Sequence, residues 1–223
     1  MNKNKPIVSK VCKKGGTPVS DRMMYFLFTD TGTTLAKLIN LFTRQPLNHV
    51  SISFDNELRE VYSFGRKKPR NPFIGGFVKE DIRSDFLKNS ECAVYVYPIS
   101  ENDYRKIMQE IKSVEKYKDA YKYNFIGLLG VLLQIEINRE YAMFCSQFVA
   151  TVMREVESFD INKPSCFITP TDIRTHSGLK LIYKGRLGRY QEMPIDQHNH
   201  EEAVPKQSFI FQLSRKVKQF VIR

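Results

Sequence analysis

No apolar run in this 223-residue chain reaches the ~18 residues that a membrane-spanning helix needs. The longest, residues 125–133 (FIGLLGVLL), is about half that and reads as a buried helix. The opening stretch, MNKNKPIVSKVCKKGG, is basic but has no apolar h-region, so a secretory signal is not expected. Cysteine is scarce: Cys12, Cys92, Cys145 and Cys166 stand far apart with no C-x-x-C pair, which excludes a disulfide scaffold or a zinc ribbon. Reduced thiols without a signal fit the cytoplasm. Repeats and low-complexity tracts are absent. Acids are in deficit, 24 against 35 Lys+Arg, leaving a net charge of +11. Such a charge suits an anionic wall polymer or a membrane surface as partner, leaving peripheral membrane association open. Nucleic acid is a poorer fit, because neither an RNP-like aromatic strand nor a zinc finger is visible.

What is present suits one globular domain: apolar residues make up 42% and aromatics 12%. Residues 1–22 read as a loose basic arm, residues 23–190 as the folded domain, and residues 191–223 as a C-terminal extension packed on it. Residues 23–29 (MMYFLFT) form a strand-length apolar run. Leu35, Leu38, Ile39 and Phe42 fall on one helical face. Residues 49–54 (HVSISF) alternate, with Val50, Ile52 and Phe54 on one side and His49, Ser51 and Ser53 on the other. Asp55-Asn56 turns the chain into a partner strand at residues 60–64. Residues 66–76 (RKKPRNPFIGG), with basic Arg66, Lys67, Lys68 and Arg70, read as an exposed loop. Residues 92–98 and 179–183 read as strands. Ser100 with Asp103 predicts a capped helix bearing Tyr104, Ile107, Met108, Ile111 and Val114. Cys145, Phe148, Val149, Val152, Met153 and Val156 predict another helix. Thr169-Pro170-Thr171-Asp172 predicts a short helix start, with Asp172 as its first-turn acid. Residues 208–213 read as a last strand before a basic end. The fold class is α+β, an antiparallel sheet packed against the Cys145 helix.

Two residues carry candidate chemistry. Cys145 opens a helix, where partial positive charge and unpaired N–H groups favour a thiolate and can hold an oxyanion. His49 opens a strand on its polar side and is the candidate base. Taken singly, Cys145 also fits an inert buried thiol and His49 a half-exposed surface residue. A third group would orient the imidazole. Glu60 and Tyr62 compete for that place; they share one face of the partner strand, opposite Arg59, Val61 and Ser63. His176 is a spare candidate base. No cofactor is called for. His198 and His200 in HNHEE lack further ligands, so no metal is expected. Gly75-Gly76 lacks the setting of a phosphate loop.

LFTDTGTTLAKLINLFTRQPLNHVSISFD resembles the opening of circularly permuted papain-like proteins of the NlpC-related superfamily, the YiiX/YebB-like group. MFCSQFVATVMREV resembles the later nucleophile helix of that group, and ITPTDI the segment that follows it. The likeness covers residues 23–185, with the His strand ahead of the Cys helix, the permuted order. It implies a permuted papain-like (NlpC-type) fold with Cys145 as nucleophile and His49 as base. The third member would be a polar residue on the next strand, Glu60 or alternatively Tyr62. Tyr123, Asn48 and Ser146 are the residues it suggests at the oxyanion or the substrate. The implied reaction is attack on an amide, ester or thioester carbonyl. Related proteins include peptidoglycan-peptide hydrolases, amidases and acyltransferases of the lecithin:retinol type. A peptide or small amino-acid-derived amide is the first expectation for the substrate. A lipid acyltransferase or thioesterase with an acyl pocket at residues 125–133, and a non-catalytic polyanion binder, are the alternatives.

Overall fold

In the computed structural model, β1 (Arg22–Asp30) lies inside a six-stranded antiparallel sheet ordered β4-β3-β2-β1-β5-β8. The structure describes residues 22–30, 32, 45–68, 71–119, 122–123 and 142–193. Expectations on the basic arm, the helix at residues 35–42, the apolar run 125–133, Arg70, HNHEE and the last strand lie outside these residues. The other strands are β2 (His49–Ser53), β3 (Val61–Lys68), β4 (Asn71–Glu80), β5 (Glu91–Ile99) and β8 (Lys180–Arg186). Two short strands, β6 (Lys122–Tyr123) and β7 (Ala142–Met143), pair in parallel beside it.

The near-continuous apolar run of β1 has a physical cause: both of its faces are covered. Met24, Phe26 and Phe28 enter a core with Val50, Ile52, Tyr62, Phe64 and Phe77. Helix α3 (Cys145–Met153) closes that side, its Phe148, Val149, Val152 and Met153 buried at helical spacing. Each such side chain contributes about 1.5–3 kcal/mol by leaving water. Tyr25 and Leu27 face the other way, onto a second cluster with Leu58, Val61, Val94, Leu87 and Tyr190. Leu87 comes from α1 (Asp85–Lys88) and Tyr190 from α5 (Leu187–Glu192).

Helix α2 (Glu101–Lys116) begins with the Ser100–Asp103 capping box, and α4 (Pro170–Arg174) with a Thr169–Asp172 box. Asp172 thus caps a helix start. Of the exposed loop expected at residues 66–76, residues 66–68 instead continue β3 and residues 71–76 belong to β4. Phe64 pairs with Phe77, Gly65 with Gly76 and Arg66 with Gly75. Pro72 and two glycines lower strand propensity, but β4 is the outermost strand of this sheet, where a proline breaks no interior ladder. That correction places the far end of β4, and Glu80 with it, in the sheet. Among the described residues, no helix is long and apolar enough to cross a membrane.

Candidate active site

The site forms where two elements begin. His49 is the first residue of β2 and Cys145 the first of α3. The chain reaches His49 through Leu47, a buried non-glycine residue in the left-handed region at φ 60°. Such a conformation costs a leucine about 1–2 kcal/mol and persists only where surrounding contacts hold it.

Strand alternation puts His49 on the side of Ser51 and Ser53, and Ile52 opposite Tyr62 puts Ser63 on that side too. This polar side does not face water: Ser51, Ser53 and Ser63 are fully buried. It accommodates a carboxylate. Glu80 Oε1 lies 2.6 Å from His49 Nε2, and Glu80 Oε2 accepts from the Ser51 hydroxyl at 2.6 Å. The Ser63 hydroxyl lies 3.3 Å from Nε2 and donates to the Val50 carbonyl at 3.1 Å. Gly65 adjoins the pair, where an added Cβ would make only ordinary van der Waals contacts. A Cβ there would lie 3.5 Å from Glu80 Oε1 and 3.6 Å from His49 Cε1. The His49 and Glu80 side chains are only 17% and 10% exposed, so this is a shielded, hydrogen-bonded ion pair.

Burial is the largest influence on each partner and opposes its charge. For His49 it is outweighed by the Glu80 carboxylate and then by Cys145, and the imidazole pKa rises well above its ordinary value. For Glu80 burial is outweighed by the charge of His49 and by hydrogen bonds from His49 and Ser51, and the carboxyl is held below its usual range. With Nε2 engaged by Glu80, Nδ1 is the ring nitrogen left for the thiol. Cys145 is 6% exposed, and its thiol points to the Asn48 carbonyl at 3.9 Å. Helix α3 starts from an extended Phe144 with no side-chain cap and no acid in its first turn. The positive end of its dipole is therefore not neutralised locally, and its leading N–H groups are not taken by a cap.

Glu60 and Tyr62 are not at His49. Tyr62 alternates onto the helix side, where its ring packs near Phe54 and Phe77, and its hydroxyl donates to Glu60 at 2.8 Å. Glu60 precedes β3, is largely exposed, and faces Lys79. Sequence reasoning missed Glu80. The available signal was Val78 and Glu80 keeping step on one side of FVKE, hidden by reading the glycines before it as loop. Asn48 offers its main-chain carbonyl to the thiol. The Ser146 hydroxyl is committed to the Ile168 carbonyl at 2.6 Å. Tyr123 lies in β6, its backbone opposite Met143 just ahead of Cys145. His176 stacks on Phe159 with ring centres 4.5 Å apart, and its Nδ1 accepts from the Gly178 N–H. Arg66, Lys67 and Lys68 belong to β3. Cys92, Cys145 and Cys166 are buried, and burial pushes the Cys92 thiol up to about 12. Among the described residues, no group of three or more His, Cys, Asp or Glu could hold a metal ion.

No protein-family model matches the chain, and neither a curated protein nor a solved structure matches it.

Proposed function

We propose that this protein is a thiol-dependent hydrolase of the circularly permuted papain-like type, cleaving a peptide or amino-acid-derived amide through an acyl-enzyme. One observation carries the reading. The thiol at an uncapped helix start, in contact with the Asn48 carbonyl, stands beside the His49 imidazole, whose Nε2 is held by a buried carboxylate. A cation and a helix N-terminus facing one sulfur is the arrangement that activates thiol nucleophiles. The order of the elements, His strand before Cys helix, agrees with the permuted pattern.

In the reaction, with the Cys145 proton already held on the cationic His49, the sulfur attacks the carbonyl carbon. The oxygen gathers negative charge against the leading N–H groups of α3. The C–N bond breaks as His49 returns the proton to the departing amine. Water then attacks the thioester, giving up a proton to His49. The acid is released and the proton stays on His49, which restores the starting pair. Glu80 remains ionised throughout, orienting the ring and stabilising its cationic form. A cytoplasmic setting keeps the thiol reduced. The net charge of +11 suits a substrate carried on an anionic wall polymer or membrane surface.

The test is electrophile labelling at neutral pH with adduct mapping, followed by turnover of amide and thioester panels. Labelling concentrated on Cys145, with amide turnover abolished in Cys145→Ala, is the expected result. Labelling no faster at Cys145 than at Cys166 overturns the proposal. Turnover of acyl-thioesters alone moves the activity to the lipid alternative.

A further inference from the structure

Residues 165–174 have no part in the chemistry above, yet they are tied to both halves of the dyad. At one end, the Ser146 hydroxyl, beside the nucleophile and 1% exposed, donates to the Ile168 carbonyl at 2.6 Å. At the other end, Arg174 grips the chain that leads into His49. Its guanidinium donates to the Pro46 carbonyl at 3.2 Å and to Gln45 Oε1 at 3.3 Å. The stretch between is stiffened. Thr169 and Asp172 close their capping box, and Lys163 pairs with Asp172 Oδ1 at 2.6 Å.

We propose that residues 165–174 form a clamp that sets the spacing between the Cys145 sulfur and the His49 ring, with Ser146 and Arg174 as positioning residues. The inference rests on the thiol–imidazole reading given above. Helix α3 and β2 touch mainly through apolar side chains, and apolar packing is non-directional. It holds the two elements together without fixing their ends. Sulfur and ring lie at those ends, where a displacement of ~1 Å can cost about a hundredfold in rate. Hydrogen bonds are directional and can supply the missing constraint. The left-handed Leu47 makes that constraint necessary. Its backbone relaxes unless it is held, and it lies between the Pro46 carbonyl gripped by Arg174 and the Asn48 carbonyl facing the thiol.

The experiment measures Cys145 alkylation by iodoacetamide across a pH series, with thermal unfolding in parallel, in wild type, His49→Ala, Ser146→Ala, Arg174→Ala and Arg174→Lys. The His49→Ala profile defines a broken dyad. In Ser146→Ala and Arg174→Ala the alkylation rate on the acid side falls about tenfold or more toward that profile. Arg174→Lys keeps one donor and recovers part of the loss. Should Ser146→Ala fail to fold, Gln45→Ala at the exposed end of the clamp reads the same effect. Acid-side rates kept in Arg174→Ala and Gln45→Ala but lost in His49→Ala overturn the clamp and leave the dyad standing. A wild-type profile matching His49→Ala overturns both.

Discussion

Cys92 and Cys145 are both buried thiols, 1% and 6% exposed, and both lie on or against the same sheet. Cys92 sits within the sheet on β5, across from Gly185, with Glu91 beside it. Burial and that neighbouring acid hold its proton on, and a backbone N–H from Gly185 compensates only in part. Cys145 sits at the start of a helix with a positively charged imidazole against it. Burial by itself therefore makes a thiol inert. Chemistry requires a second group that favours the anion, and the element carrying the cysteine decides whether one can reach it.

The largest effect that could break this contrast is a rate ratio. At neutral pH, Cys145 alkylates on the order of a hundredfold faster than Cys92, and His49→Ala collapses the ratio. Adduct mapping by mass spectrometry reads both sites in one sample. A smaller effect separates two carboxylates that flank the β3–β4 hairpin. Glu80→Gln removes the charge behind His49 and lowers turnover about a hundredfold, read as kcat. Glu60→Gln, on the exposed Lys79 side, leaves kcat unchanged and stability within about 0.5 kcal/mol.

The same ion pair makes stability depend on pH. His49 is raised in the folded protein, so its contribution is full below its unfolded value near 6.5 and fades as pH climbs through the higher folded one. Glu80 is lowered, so its contribution is present above about 4.5 and is lost as acid protonates it. The Tm gap between wild type and His49→Gln accordingly shrinks as pH rises from the neutral range into alkali. The gap for Glu80→Gln shrinks as pH falls below the carboxylate range. Gaps that stay flat in both directions would mean that the pair is not ionised in the folded protein.

Much of this site was legible from local pattern, and the part that was not depends on pairing. His49 and Cys145 could be singled out as candidates, one by strand alternation and the other at the head of a helical stripe, because each signal is contained within one element, though each alone fits an inert residue equally well. Glu80 lies far along the chain from His49 and meets it only through the β2–β3–β4 register. Register is long-range information, and here it was masked by Pro72, Gly75 and Gly76, residues that usually end strands. Choosing between Glu60 and Tyr62 failed for a related reason. The alternation was read correctly, with Ser63 and Tyr62 on opposite sides, but the side sharing His49 has its carboxylate on β4. The serines read only as the polar side of their strands, yet they are buried polar groups around an ion pair. A sequence cannot separate those cases without knowing what covers the sheet.

The smallest effect tests the inert half of the thiol comparison. Cys92 joins the cluster of Tyr25, Leu27 and Val94, so replacing it by Ala leaves a small void and removes a modest apolar contact. A loss of about 1–2 kcal/mol in a denaturant melt is expected, with the turnover number of the folded protein unchanged. Cys145→Ala should show the inverse split, abolishing turnover with little loss of stability, because the thiol stands at the end of its helix and not in the middle of the sheet. If Cys92→Ala lowered kcat while Cys145→Ala spared it, the contrast between the two thiols would fail, and with it the assignment of Cys145 as nucleophile.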